Sequence, residues 1–505
     1  MSQISLVGLA SNDPVPGSYL EINFAQGEAS RGTSVYTAIL VGNKLSTGSA
    51  TSDTVVYGPD TAVSLTSEAD AISLFGAGSE LHRKYRRFVK VNSTTPLYAI
   101  AVSEGTTPVA ATGTVTIATT ATGSATIRLY VGDEFVDAGI ATGDTPTVIA
   151  AALIKAANGK THWPVVASAA AGVITLTSKQ KGLRANFIRY WAQIKPSGVG
   201  TTVTPTASTF TSGGSVSDDS TTALATLALK RYYYIVSAAE DATQLGALVS
   251  QVNTQQLAVT GIRQRVVAGS IDTLANTITI TTALNAARAE IVWLAGSDVP
   301  PCEMAANNAA IYALEEASLV PRLNFSGYGS DAKTQANWKI NAPLNGAAPT
   351  RSQLFAALNA GITPIGINSS GSSYLVKRVT TRFLSGSVPD YRIRDSHKVT
   401  VCDKFGDDLQ VKFSLQMSGK QIGDDPVKNE PTPGANVATL KIVKALINRL
   451  VRDYGDDALL QRVGEIIAAT QVVRETSPAT RMSAQVQLQP TDILDQIATQ
   501  VNQVA

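Results

Sequence analysis

A chain of 505 residues, 44% hydrophobic and 16% charged, is longer than one hydrophobic core usually organises and too apolar for general disorder, so about two to four globular domains are expected. Lys and Arg total 41 against 39 Asp and Glu, and the resulting net charge of +2 provides no global basic field for nucleic acid. The only thiols, Cys302 and Cys402, lie far apart without CxxC spacing, which argues against a disulfide framework or a zinc site and for buried free cysteines.

The opening MSQISLVGLASNDP has neither a basic n-region nor a long apolar stretch, and no later segment approaches ~18 consecutive apolar residues. A cytoplasmic protein is therefore expected. After Asp13, Pro14, Pro16 and Gly17 comes an alternating run, Tyr19, Leu20, Glu21, Ile22, Asn23 and Phe24, followed by Gly27 and Gly32. It reads as a lone strand between flexible joints, whose unpaired backbone groups need a sheet edge in its own chain or in a neighbour.

Residues 34–42 (SVYTAILVG) and 97–102 (LYAIAV) have the apolar, β-branched character of central strands, with helical periodicity at 68–75 between them. From 104 to 219 the composition shifts to Thr, Ala, Gly and Val, with strand candidates at 114, 125 and 173 and one helix around 147–157. An inserted, mainly β domain is expected, leaving through the polar linker TTVTPTASTFTSGGSVSDDS. Strand and helix then alternate: 232–236, 242–255, 262–268, 290–295 and 301–318 read as βαβ units of a parallel or mixed sheet covered by helices. Within this stretch TLANTITITTALNAARA is ambiguous, since its Thr and Ile favour strand and its second half favours helix.

Beyond residue 339 a second, α+β block is expected: a helix at 352–360, strands near 363–368 and 374–383, and a long helical region from 436 to about 467. On that helix Lys441, Lys444, Asn448 and Arg452 form a basic edge beside an apolar side of Leu440, Val443, Ile447, Leu450 and Val451. The tail alternates like a strand at 482–490, while Ile493, Ile497 and Val501 would also share a helix face.

Chemical motifs are weak. Gly159, Lys160 and Thr161 imitate the end of a P-loop, but Ile154 stands where the first glycine is needed. Gly32, Thr33 and Ser34 imitate a protease serine motif without a partnering Asp or His motif, and His82, His162 and His397 are scattered. The basic run LHRKYRRF around Lys84, Tyr85, Arg86, Arg87 and Phe88 suits phosphate binding but reads better as a solvated amphipathic helix. The pairs Asp407 and Asp408, Asp424 and Asp425, and Asp456 and Asp457 point apart on any regular element and suit turns and caps. No catalytic, cofactor or metal residue is assigned, and no enzyme activity is expected.

The arm PGSYLEINFAQGEAS, the first core strand YTAILVGNKL, the passage KINAPLNGAAPTRSQLFAALNAGITPIGINSSGSSYLVKRVTTRF and the ending RMSAQVQLQPTDILDQIATQV together resemble the tail sheath proteins of contractile phages, in particular the Mu-like branch. The resemblance implies a multidomain α/β and α+β fold. It has a subtilisin-like α/β domain without protease activity, an inserted β-rich domain facing outward, and a C-terminal α+β domain completed by strands from neighbouring subunits. On this chain it implies a linking arm at 1–33, the α/β domain at 34–103 and 220–338, the insertion at 104–219, the assembly domain at 339–481 and a second arm at 482–505.

The N-terminal arm would be Tyr19, Leu20, Glu21, Ile22, Asn23 and Phe24, and the C-terminal arm would use Ser483, Gln485, Val486, Leu488, Ile493, Ile497 and Val501, received by an edge somewhere in 399–417. Lys441, Lys444 and Arg452 would face the tail tube. The implied partners are other copies in hexameric, helically stacked rings, the tube protein, and baseplate and terminator proteins, with no nucleic acid and no membrane insertion. Such a subunit is assembled in the host cytoplasm, resides in the virion, and contracts to drive the tube through the host envelope. A phage-derived injector would use the same plan, and the rivals are a surface adhesin and an α/β hydrolase carrying a β module.

Overall fold

The computed structural model describes residues 36–495 apart from 56, 60, 205–208, 319, 345 and 427–433. The arm strand at 19–24, the Gly32, Thr33, Ser34 motif, Ile497 and Val501 lie outside the described residues.

The chain enters through β1 (Ala38–Gly42), α1 (Glu68–Phe75), α2 (Glu80–Val89) and β2 (Leu97–Ala101). Helix α1 starts at Ser67, whose hydroxyl accepts from Asp70 N while Asp70 returns to the Ser67 N–H, a reciprocal cap that satisfies two otherwise orphan donors. Alternate residues of β1 and β2 face opposite cores, Leu40 and Ala99 one way and Ile39 and Ile100 the other, as the two-residue period of a strand requires.

The insertion follows: β3 (Ala110–Ala118), β4 (Ala125–Val131), β5 (Glu134–Ile140), α3 (Pro146–Asn158), β6 (Val165–Ala170), β7 (Val173–Lys181), β8 (Arg189–Lys195), β9 (Thr202–Thr204) and β10 (Thr209–Phe210). Two four-stranded sheets, β10-β8-β4-β5 and β6-β7-β3-β9, enclose one core with α3. Inward residues such as Ile127, Leu129, Val115, Ile174 and Leu176 alternate with outward polar ones. The ends of the insertion meet where Ser103 bridges Asp219. Its exit is no free linker, contrary to expectation. Residues of that stretch pair in β9 and β10, and Ser212 and Ser215 bridge Thr112 and Val109, because the Thr-rich sequence suits an edge strand and its backbone groups find partners there. The Gly159, Lys160, Thr161 triplet follows the carboxyl end of α3, the wrong pole of a helix for an anion.

The α/β body resumes with α4 (Thr221–Leu227), β11 (Tyr234–Val236), α5 (Ala242–Gln255), β12 (Arg265–Ser270), α6 (Leu274–Leu284), β13 (Ala289–Trp293), α7 (Pro301–Glu315), α8 (Ala332–Gln335), α9 (Arg351–Asn359), β14 (Thr363–Ile367) and β15 (Ser373–Leu375). The ambiguous TITIT segment is helix α6. Thr273 caps it, and the buried Thr277 and Thr281 return their hydroxyls to backbone carbonyls of the preceding turn. The seven strands of the sheet run β15-β14-β13-β12-β11-β1-β2, all parallel except β15. Helices α1, α2 and α7 cover one face and α4, α5 and α6 the other. Two strands from the stretch expected to open the C-terminal block, β14 and β15, thus extend this sheet, and the strand expected over 374–383 ends at Leu375.

Short strand pairs β16 (Leu384–Ser385) with β17 (Val388–Pro389) precede the long helix α10 (Ser396–Gln416). Then come β18 (Gln421–Ile422) paired with β19 (Val437–Ala438), α11 (Leu440–Asp456), α12 (Val463–Ala469), and the hairpin of β20 (Gln471–Arg474) and β21 (Met482–Gln485). Val401, Phe405 and Leu409 of α10 pack on Leu446, Ile447, Leu450 and Tyr454 of α11, with Ile466 and Leu488 closing this last core.

Candidate functional site

Helix α10 joins the α/β body to the C-terminal unit, and its two faces do different jobs. Ser396, Thr400, Asp403 and Asp407 form one stripe at helical spacing, and all four are buried. They meet arginines placed at the amino ends of successive strands. Arg265 donates to Thr400 at 2.7 Å and also contacts Ser396 and Glu290. Arg288 grips Asp403 with two bonds of 2.8 and 2.6 Å, and Arg263 and Arg231 donate to the two oxygens of Asp407 at 2.6 and 2.7 Å. Arg378 completes the seam, donating to Glu290 at 2.9 and 3.0 Å and contacting Glu316. Burial pushes the carboxyls of Glu290 and Asp407 up, but Arg265 and Arg378 in the first case, and Arg231 and Arg263 in the second, outweigh it and hold both below the ordinary range. The neighbour Asp408 points to the opposite face and accepts from Tyr454 at 2.9 Å. Sequence reasoning named Asp407 and Asp408 as turn residues and missed the seam. The available signal was the Ser, Thr, Asp, Asp spacing together with an arginine just before or at the start of β11, β12 and β13.

The expected receiving edge at 399–417 is corrected by α10 itself. Those residues form a helix whose backbone groups bond within the helix, leaving no row of donors and acceptors for an added strand. An open edge lies instead in the β20–β21 hairpin, a two-stranded sheet that, like β16–β17 and β18–β19, no further strand joins among the described residues. Ser483 and Gln485 are in β21 opposite Val473 and Gln471. Val486 packs against the C-terminal core and Leu488 is buried in it, while Ile493 is half-buried beyond the Leu460 and Pro490 bridge. The structure thus joins the described part of the expected C-terminal arm to its own chain.

Of the expected tube-facing residues, Lys441 and Arg452 are exposed and Lys444 is half-buried on α11. Arg449, which the sequence reading did not select, shares their exposed face. Thr439 caps this helix through Ile442 N, and the apolar side, with Val443, Ile447, Leu450 and Val451, is buried, so the fold fixes which face looks outward.

The run LHRKYRRF is helical but not solvated. Helix α2 is wedged between the sheet, α7 and the insertion, so Arg83, Lys84 and Arg87 are enclosed and paired while Arg86 stays exposed. Lys84 donates to Val41 O at 2.6 Å, Arg83 reaches Glu303 at 3.2 Å, and Arg87 lies 2.7 Å from both Asp133 and Glu303. Its amino end meets the insertion: Glu80 Oε1 accepts from Arg184 at 2.8 Å and Glu80 N donates to Gln180 at 2.8 Å. Arg86 to Glu134 at 3.0 Å and Arg189 to Asp298 at 3.1 Å add two more ties. The three histidines are apart. His82 lies against Glu68, His162 against Glu134, and His397 against Thr491 O, with burial lowering His397 to about 4. Cys302 and Cys402 are buried free thiols, and burial pushes Cys302 up to about 12. A groove of 480 Å³ beside β15, lined by Ile340, Pro343, Leu344, Ile367 and Ser373 among others, contains no titratable side chain. Among the described residues no helix is long and apolar enough to cross a membrane.

These parts are two bodies locked by buried ion pairs, a basic helix face fixed outward, and strand edges left open. No family model matches the chain. It is 31% identical over 252 residues to the Mu-like prophage FluMu tail sheath protein of Haemophilus influenzae, and the match spans 48% of this chain and 49% of that relative. The chain thus spans about half the length of the curated relative it matches. Among solved structures, the sheath tail proteins of Listeria innocua and Desulfitobacterium hafniense align at 12% identity with TM-scores of 0.47 and 0.46, covering 95% and 92% of this chain and 97% and 99% of theirs. The contracted helical sheath of the anti-feeding prophage aligns at 12% identity and a TM-score of 0.47, over 97% of this chain and 100% of that one.

Proposed function

We propose that this chain is the tail sheath subunit of a contractile phage tail. The observation that carries the reading is the 31% identity over 252 residues to a Mu-like tail sheath protein. The subunits stack as hexameric rings around a tail tube, with the tube met by the exposed face of α11 through Lys441, Arg449 and Arg452 and the edge of Lys444. Neighbouring subunits are tied by strands. Residues 19–24 of one subunit add to an open edge of the β20–β21 hairpin in another, and the segment from Ser483 to Leu488 exchanges its place in that hairpin and core between copies. Such an exchange reuses contacts the single chain already makes, so it costs little beyond ordering the linker. A row of main-chain bonds holds while subunits rotate, which keeps the mesh connected through contraction.

Contraction in this scheme moves each subunit as one rigid piece, because the α10 seam locks the C-terminal unit to the α/β body. The extended state is held by solvent-exposed, salt-sensitive contacts on α11, and the contracted state by more extensive contacts between subunits. Imaging the purified chain mixed with its tail tube protein tests the reading. Striated sheathed tubes are expected, and a chain that never decorates tubes at any salt concentration would refute it.

A further inference from the structure

Open parallel sheets bind ligands outside the carboxyl ends of the strands where the strand order reverses. In this chain that point lies between β1 and β11, since β1 continues to β2 on one side and the next strand of the body, β11, is laid down on the other. We infer that Arg184 of the inserted domain occupies this crevice as an internal ligand, and that the insertion is seated on the α/β body chiefly through that guanidinium.

The crevice is built for a cation. Strand β1 ends on Gly42, where an added Cβ would lie 2.8 Å from the carboxyl of Glu80, so only glycine lets that side chain lean over the strand end. Glu80 Oε2 accepts from Asn43 N at 3.0 Å, and its Oε1 is shared by Lys84 at 2.6 Å and Arg184 at 2.8 Å. On the other side Arg184 Nε donates to Asp218 at 2.7 Å, and Asp218 N is held by Asp241, the cap of α5, at 3.1 Å. Arg184, Glu80 and Asp218 are almost wholly enclosed. The guanidinium does not use every group there: its own Nη2, Asn43 Oδ1, Ser237 Oγ, Glu240 Oε2 and Gln244 Oε1 are buried without a partner. These orphan polar atoms mark a strand-end crevice with more donors and acceptors than the guanidinium alone satisfies.

The seat is tested in the full chain by hydrogen exchange at the two joints of the insertion, residues 103–109 and 215–219. Arg184→Ala should raise exchange there on the order of a hundredfold, because it strands a buried carboxylate, and millimolar ethylguanidinium should restore protection by refilling the crevice. Arg128→Ala, which removes an exposed pair with Asp137 in the same insertion, should change neither. Unaltered joints in Arg184→Ala, or open joints that ethylguanidinium leaves open, overturn the inference. Should Arg184→Ala fail to fold, Arg184→Lys keeps the charge but cannot span Glu80 and Asp218. It should loosen the joints less and ignore ethylguanidinium, and joints as protected as wild type would count against the seat.

Discussion

Single residues set the two ionic centres, and they differ in sign under titration. Burial pushes Glu240 up to about 7, with Glu80 adding to the shift, and Asp218 up to about 6 against the pull of Arg184. A carboxyl raised in the folded state contributes fully below its unfolded value and loses that contribution as pH rises through the folded one. Comparing wild type with Glu240→Gln in urea should therefore show the wild type losing on the order of 2 kcal/mol relative to the variant between roughly pH 4.5 and 7. Parallel curves would rule out an enclosed protonated Glu240. The opposite slope of His397, whose neutral-state contribution is lost as pH falls from about 6.5 toward 4, is common to both proteins and cancels. In the α10 seam, Asp403→Ala leaves Arg288 enclosed without its bidentate partner. Denaturant unfolding should record a loss of about 3–5 kcal/mol, whereas Asp424→Ala, whose pair with Arg474 is exposed, should change stability by less than about 1 kcal/mol.

Elements were legible in the sequence where local periodicity decided them. The expected helix at 242–255 is α5, the one at 147–157 is α3 within a residue at each end, and the apolar runs at 34–42 and 97–102 contain adjacent parallel strands, although β2 closes the edge of the sheet instead of lying at its centre. What was illegible depended on partners remote in sequence. The LHRKYRRF helix looks solvated because Glu303 and Asp133, which enclose its arginines, come from α7 and from the insertion. The acid pair at 407 and 408 suggested a turn for the same reason, since the arginines that make a buried helix tolerable lie near residues 231 and 263. The α11 face was readable as an amphipathic pattern, though Arg449 joins it only once the helix is packed and its orientation fixed. At this scale, charge reversal by Lys441→Glu with Arg449→Glu should leave the melting temperature within about two degrees and weaken co-sedimentation with tubes more than self-association. Equal loss of both would place that face in a subunit contact instead.

For the whole molecule, the α/β body, the seated insertion and the C-terminal unit are linked by buried charge, and the proposed sheath joins copies through strands. The measurement that tests this most directly is electron microscopy of the purified full chain beside residues 28–505 at equal concentration. The full chain is expected to form striated hollow cylinders, and the shortened chain to remain monomeric with an unchanged thermal unfolding curve. Cylinders formed equally well by the shortened chain would contradict the strand-linked sheath.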